Sequence, residues 1–182
     1  MQYSLLSKDK KEAKKPLSIV NKALRSDKKP FQTQTAYPRF RVDNMVFIEV
    51  HTAPTAEVRD LNGSSSYVVV VLDEGMRLVR LPNKELFARF ASLIRAAPDL
   101  MAPHHKLRTA LTLATGNGDY TSSTDKSEPS WVDEDGILVI KYYAYIRQMS
   151  SMVRPRIALR TLTVDENQNY SIKSQDVGHE IP

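Results

Sequence analysis

Residues 136–164 constrain the chain more than any other stretch, because they hold two runs suited to extended backbone. Residues 137–147 are dense in β-branched and aromatic side chains. Residues 154–164 alternate Arg156, Ala158 and Arg160 with Ile157, Leu159 and Thr161, the period of a half-buried strand. A turn at Ser150-Ser151 pairs the two runs antiparallel, with partners summing to about 301 in residue number. Tyr145 then opposes Arg156, Tyr143 opposes Ala158 and Lys141 opposes Arg160. In this register Leu138, Ile140, Tyr142, Ala144, Ile146, Ile157 and Leu159 share a buried face. Lys141, Tyr143, Tyr145, Arg147, Arg156 and Arg160 form the other. Cations interleaved with tyrosine neutralise phosphates while the rings stack on unpaired bases, each stack worth about 1–3 kcal/mol. A solvated outer face, with Lys and Arg stems covering Tyr rings, accounts for the same pattern. A register slip of one residue would split it.

A chain of 182 residues supports one domain with a real core, burying roughly two-thirds of its unfolded surface. It contains no apolar run near the roughly 20 residues that span a bilayer, and residues 1–10 lack the apolar centre of a signal peptide. No cysteine is present, which removes disulfides, thiol nucleophiles and thiolate metal sites and leads us to expect a reducing, cytoplasmic compartment.

The net charge of +5 is unevenly placed. Lys8, Lys10, Lys11, Lys14, Lys15, Lys22, Arg25, Lys28 and Lys29 against Asp9, Glu12 and Asp27 give residues 1–30 a charge of +6 and leave −1 for the rest. Residues 1–38 therefore read as a basic, partly disordered arm and linker drawn to any polyanion, nucleic acid or anionic lipid. A solubilising tail is the bland alternative. Within the arm, residues 16–25 suit a short helix, with Pro16 in its first turn and Leu17, Val20 and Leu24 at helical spacing. Such a helix needs a surface to fold against.

A single α+β domain is expected over 39–173, largely an antiparallel sheet with one main packed helix. Strands are expected over 40–51, cut off by Pro54, and over 67–72, apolar on both faces. Asp73-Glu74-Gly75 turns the chain into a third strand over 76–81. Residues 83–97 are the clearest helix. Asn83 caps it, Pro98 stops it, and Leu86, Phe87, Phe90, Leu93, Ile94 and Ala97 form its stripe. Residues 106–114 read as a further strand, since Leu107, Thr109, Leu111 and Leu113 share one parity. Residues 115–135 form an acidic loop of charge −5, with Trp131 as either its anchor or a contact residue. A last short strand covers 170–172, and 174–182 is expected to fray.

Catalytic chemistry finds little support. Gly116-Asn117-Gly118 is too short for a phosphate-binding pattern, no serine stands in a nucleophile-elbow context, and Asp133, Glu134 and Asp135 read as solvated loop. His104 and His105 point apart in extended backbone, with no further ligands at recognisable spacing. We therefore expect no enzyme, cofactor, metal or small-molecule substrate.

The lysine-rich arm, the proline-bearing linker with Pro30 and Pro38, one α+β body and no cysteine resemble, as architecture over the whole chain, the matrix proteins of negative-strand RNA viruses. Plant rhabdoviruses are nearest in length. The resemblance implies a structural protein of virion and host cytoplasm that binds RNA or nucleocapsid, associates with anionic membrane through its arm and self-associates. Pro54-Thr55-Ala56 is followed by Glu57 rather than Pro, and Pro-Pro-x-Tyr does not occur, so the late-budding signals of animal relatives are missing. The rival readings are a single-stranded nucleic-acid-binding protein that uses the basic and aromatic sheet face, and a protein–protein adaptor.

Overall fold

Period-2 runs dominate the chain, and strands dominate the fold. The computed structural model describes residues 3–27, 32–55, 65–116, 127–134, 137–146, 156–165, 167 and 169–179. Among them the chain is α+β, with two antiparallel sheets and three α-helices. The residues group into two compact units, Met1–Asn83 with Thr115–Gly118 and Lys84–Ala114 with Asp119–Pro182, where one body from Arg39 onward was expected.

The first unit is a meander of β1 (Tyr3–Leu5), β2 (Gln32–Val42), β3 (Met45–Pro54), β4 (Ser65–Leu72) and β5 (Arg77–Arg80), in that order across the sheet. The apolar run Val68–Leu72 is buried throughout, as a strand covered on both faces requires. Asp73 to Met76 makes the expected turn into β5, with Gly75 and Met76 at φ 68° and 51°.

Helix α1 (Lys11–Ser26) extends the expected helix by five residues at its start and one at its end, so Pro16 lies inside it rather than in its first turn. Val20 and Leu6 of the supposed arm join Ala36, Val46, Ile48, Val50, Val69 and Val71 in one core, with Leu17, Ile19 and Leu24 packed against it. The reason is area: β3 and β4 present a row of valine and isoleucine that must be covered, and the apolar stripe of α1 matches it. From Gln32 on, the expected linker is likewise β2, whose Ala36, Pro38, Phe40 and Val42 are buried at alternate positions. Strand β1 pairs only with 40–42, so Pro38 sits on the uncovered stretch of β2, at a register shift, where a missing N–H is tolerated.

The second unit holds α2 (Lys84–Ala96), α3 (Pro103–Thr115) and a sheet of β6 (Ser130–Glu134), β7 (Ile137–Ile146), β8 (Arg156–Val164) and β9 (Tyr170–Gly178) in sequence order. Helix α2 matches the expected span within a residue at each end and buries Leu86, Phe87, Phe90, Ala91 and Ile94. The strand expected at 106–114 is overturned, because this segment is the body of α3. Leu107, Thr109, Ala110, Leu111, Thr112, Leu113 and Ala114 are all buried, and a segment covered all round shows no polar face from which its period can be read. Thr109 Oγ1 donates back to the His105 carbonyl at 2.9 Å, which satisfies a β-branched residue inside a helix. Gly116, at φ +71°, ends the helix in the left-handed conformation that glycine adopts without strain.

Trp131 anchors β6, its ring edge-on to Phe90 with centroids 6.2 Å apart. Asp133 accepts a hydrogen bond from Arg95 of α2. The last strand, expected to be short and to fray from Ser174, runs on to Gly178. The Asp165–Asn169 turn before it is tied at both ends. Asp165 N–H donates to the Asn169 carbonyl, and Asn169 N–H returns to Asp165 Oδ1 at 2.8 Å. Lys84 Nζ donates to Asn169 Oδ1 at 2.9 Å.

Candidate nucleic-acid interface

Helix α1 turns the amino-terminal cations into an ordered surface. At about 100° per residue, Lys11, Lys14, Lys15, Lys22 and Arg25 fall within an arc of about 100°, with Ser18 among them. All six are exposed. The buried Ala13, Pro16 and Val20 lie on the opposite side. From Lys11 to Arg25 the helix rises about 21 Å, the length of about six nucleotides of a stacked strand at roughly 3.4 Å each. The one acidic residue in the first turn, Glu12, is 3.8 Å from Arg41 of β2. Arg25 also complements the negative end of the helix dipole.

The other arm cations divide. Lys8 Nζ lies 4.1 Å from the centroid of the Tyr37 ring, a cation–π contact. Lys10 Nζ donates to the Leu5 carbonyl at 2.5 Å. Both are exposed, yet these contacts draw them toward the fold. Lys28 and Lys29 lie outside the described residues.

Strands β7 and β8 pair antiparallel as expected, but one residue later. Tyr145 opposes Ile157, Tyr143 opposes Leu159 and Lys141 opposes Thr161. Arg156 and Arg160 therefore move to the other face, opposite Ile146 and Tyr142, and the six-residue basic and aromatic face is corrected to Lys141, Tyr143 and Tyr145. The buried face is corrected in the same way: Val164, Leu162 and Ala158 join Leu138, Ile140, Tyr142 and Ala144, while Ile157 and Leu159 move to the opposite face, where Ile157 is still buried at 2% exposure. Burial decides the register, since Leu162 and Val164 must be covered. Arg160 hydrogen-bonds the Tyr142 side chain. Burial pushes the Tyr142 phenol up, and the Arg160 charge and hydrogen bond oppose this. Arg156 pairs with Asp176 of β9 at 2.8 Å. Arg147 lies outside the described residues, as does the turn at Ser150-Ser151.

Strand β9 brings in two polar residues that the sequence reading missed. Lys173 opposes Thr161 and Gln175 opposes Leu159, so a row Ser130, Lys141, Thr161, Lys173 crosses all four strands. Lys141 and Lys173 are exposed, while Tyr143 and Tyr145 are half-buried. The signal was the alternation of Ser171, Lys173 and Gln175 with Tyr170, Ile172 and Ser174, obscured because the tail was expected to fray.

His104 and His105 stand in the first turn of α3 rather than in extended backbone. Burial lowers the His105 pKa, and the neighbouring charges of Arg108 and His104 lower it further. Among the described residues no group of three or more His, Cys, Asp or Glu is placed to hold a metal ion, and no helix is long and apolar enough to cross a membrane. Among the described residues the stripe on α1 is the strongest concentration of like charge on a single element, and it gives that side of the helix a positive potential. No family model matches the chain, and no curated protein or solved structure matches it.

Proposed function

We propose that the protein is a non-enzymatic, matrix-like assembly protein that holds RNA, bare or as nucleocapsid, against the exposed face of α1. One observation carries this reading: five cations lie within a narrow arc of a helix whose opposite side is built into a β-sheet core. The same observation ranks the partners. A helix that enters a lipid interface needs a free apolar side, and here Leu17, Val20 and Leu24 are spent on the sheet. An anionic membrane is left with surface attraction alone, whereas a phosphate chain matches both the charge and the length of the stripe. The second reading, a single-stranded nucleic-acid platform on the outer face of the β6–β9 sheet, is favoured by Lys141 and Lys173 flanking Thr161 beside Tyr143 and Tyr145.

The test is binding of labelled single-stranded RNA across a salt series, with anionic and neutral vesicles alongside. Five phosphate contacts give a slope of about −3.5 in log K against log salt, and removing three of them lowers it to about −1.4. Lys11→Gln with Lys15→Gln and Lys22→Gln is expected to produce that fall, while Tyr143→Ala with Tyr145→Ala leaves the slope unchanged. The opposite result transfers the function to the sheet face. Vesicle binding that exceeds RNA binding makes the partner a membrane, and no binding to either leaves a protein–protein adaptor.

A further inference from the structure

Among the described residues β1, β5, β6 and β9 end the two sheets, beside the stretch of β2 before Arg39 that β1 leaves uncovered and Pro38 interrupts. Three of the four end strands are poor templates for pairing. Strand β1 has three residues, β5 has four with arginine at both ends, and β6 has five. Strand β9 has nine, and Tyr170 through Asp176 are exposed without a break. Natural sheets shorten, charge or cover such an edge because it recruits another strand. Here Lys173 is the one charge on the strand without an ion pair among the described residues, since Asp176 is held by Arg156.

The backbone of this edge is correctly phased for pairing. Asp165 N–H donates to the Asn169 carbonyl at 3.0 Å, one of the two bonds of a hydrogen-bonded position and in line with the register of β8 on β9, so this position sets the phase. By antiparallel alternation Ser171, Lys173 and Gln175 exchange bonds with β8, and Tyr170, Ile172 and Ser174 turn their N–H and C=O to the open side. The side chains of these even-numbered residues continue the apolar rows of the core. Leu138, Val164 and Tyr170 form one row, and Ile140, Leu162 and Ile172 the next. Leu162 is fully buried and Val164 nearly so, yet the rows end with Tyr170 45% and Ile172 40% exposed.

We infer that β9 pairs antiparallel with β9 of a second copy about a two-fold axis through Ile172, joining two four-stranded sheets into one of eight strands. A second copy is the occupant because the edge complements itself. A two-fold axis normal to the sheet keeps corresponding faces together, so outward-bonding even residues meet even residues. Ile172 then opposes Ile172 of the second copy, and Tyr170 opposes Ser174 of the second copy. About six backbone hydrogen bonds form over residues 170–174. Ile172 becomes interior to a continuous apolar row, and Tyr170 lies diagonal to Ile172 of the second copy, an aromatic and β-branched neighbour pair across strands. Lys173 opposes Ser171 of the second copy, so no like charges face each other directly. This contact gives the proposed assembly role a surface, and it stands or falls apart from the cations of α1.

The absence of native cysteine makes the test direct. Hydrogen-bonded partners lie about 5.5 Å apart at Cα, within disulfide reach. In the full chain, nuclease-treated and at high salt so that no polyanion bridges the copies, Ile172→Cys is expected to cross-link to a dimer on mild oxidation, and Gln175→Cys to remain monomeric. In light scattering over a concentration series, the dimer of the unmodified chain should be lost with Ile172→Lys, which sets two like charges opposite each other. Ser174→Pro, which blocks an outward N–H without touching the ladder to β8, should lose it too. Equal cross-linking at 172 and 175, a chain monomeric at every soluble concentration, or a dimer indifferent to both substitutions overturns the inference. RNA binding that persists in any of these cases leaves the function of α1 standing.

Discussion

Replacing Val20 by alanine separates a docked helix from a loose arm. Val20 is 1% exposed, within the cluster of Leu6, Ile48, Val50 and Val69. The substitution removes two buried methyl groups at about 0.8 kcal/mol each and leaves a small cavity, for a loss of about 2 kcal/mol. Alanine is the better helix former by about 0.5 kcal/mol, which leaves about 1.5 kcal/mol and a fall in Tm of about 3–6 °C for a chain of this length. Lys15→Gln, on the exposed side of the same helix, should change Tm by less than about 1 °C. Thermal melts followed by circular dichroism, with denaturant melts to check that the slope m is unchanged, measure both. A Val20→Ala protein that melts with the unmodified chain would refute the docking of α1, because no buried methyl can be removed without cost. The same packing means that deleting residues 1–30 strips Val46, Ile48, Val50, Val69 and Val71 of their cover. Deletion is thus a poor probe of binding, and charge-neutral substitutions on the exposed side are the sound one.

Two further predictions concern the second unit. The pKa of His105 is held below its ordinary value, so the unfolded chain binds the proton more readily. The stability this contributes is present above the ordinary histidine pKa and is lost as pH falls through the lowered one. His105→Gln should flatten the loss of denaturant stability below about pH 6.5, and an unchanged acid limb would refute the assignment. Arg160→Ala should cost about 1 kcal/mol through the lost bond to Tyr142 while leaving RNA affinity nearly intact. A large affinity loss without a stability loss would return Arg160 to the outer face.

Elements with one buried side and a clear stop were readable from residues alone. Helix α2 shows an apolar stripe opposite exposed Ser92 and Arg95 and is closed by Pro98, so its period is unambiguous. Helix α3 has no polar side beyond Arg108: Leu107, Ala110, Leu111 and Ala114 at helical spacing are interleaved with buried Thr109, Thr112 and Leu113, which mimic strand alternation. The extent of α1 was hidden because its first turn is Lys11 to Lys14, a composition shared with solvated coil. Strand β2 was legible in hindsight, since Ala36, Phe40 and Val42 alternate with Tyr37, Arg39 and Arg41, but Pro38 and the Gln-Thr residues spoke for a linker. The register of β7 on β8 missed by one residue because it was taken from a turn centred on Ser150-Ser151, whereas the burial of Leu162 and Val164 decides it. That single residue determined which arginines stand beside the tyrosines and which lie over the core. Lys11, Lys14, Lys15, Lys22 and Arg25 could be listed as cations from the sequence, but their alignment needed the helix, since charge is a property of sequence and its direction is not.

That direction has a physical result for encounters with a long polyanion. Charge gathered on one side of a molecule experiences a torque as well as a pull in an external field. Each copy would arrive already turned, with α1 inward and the sheet beneath it pointing away from the polymer. Copies along one strand would then all turn the same side of this unit to the polymer. A flexible tail of equal charge would allow every orientation and give none.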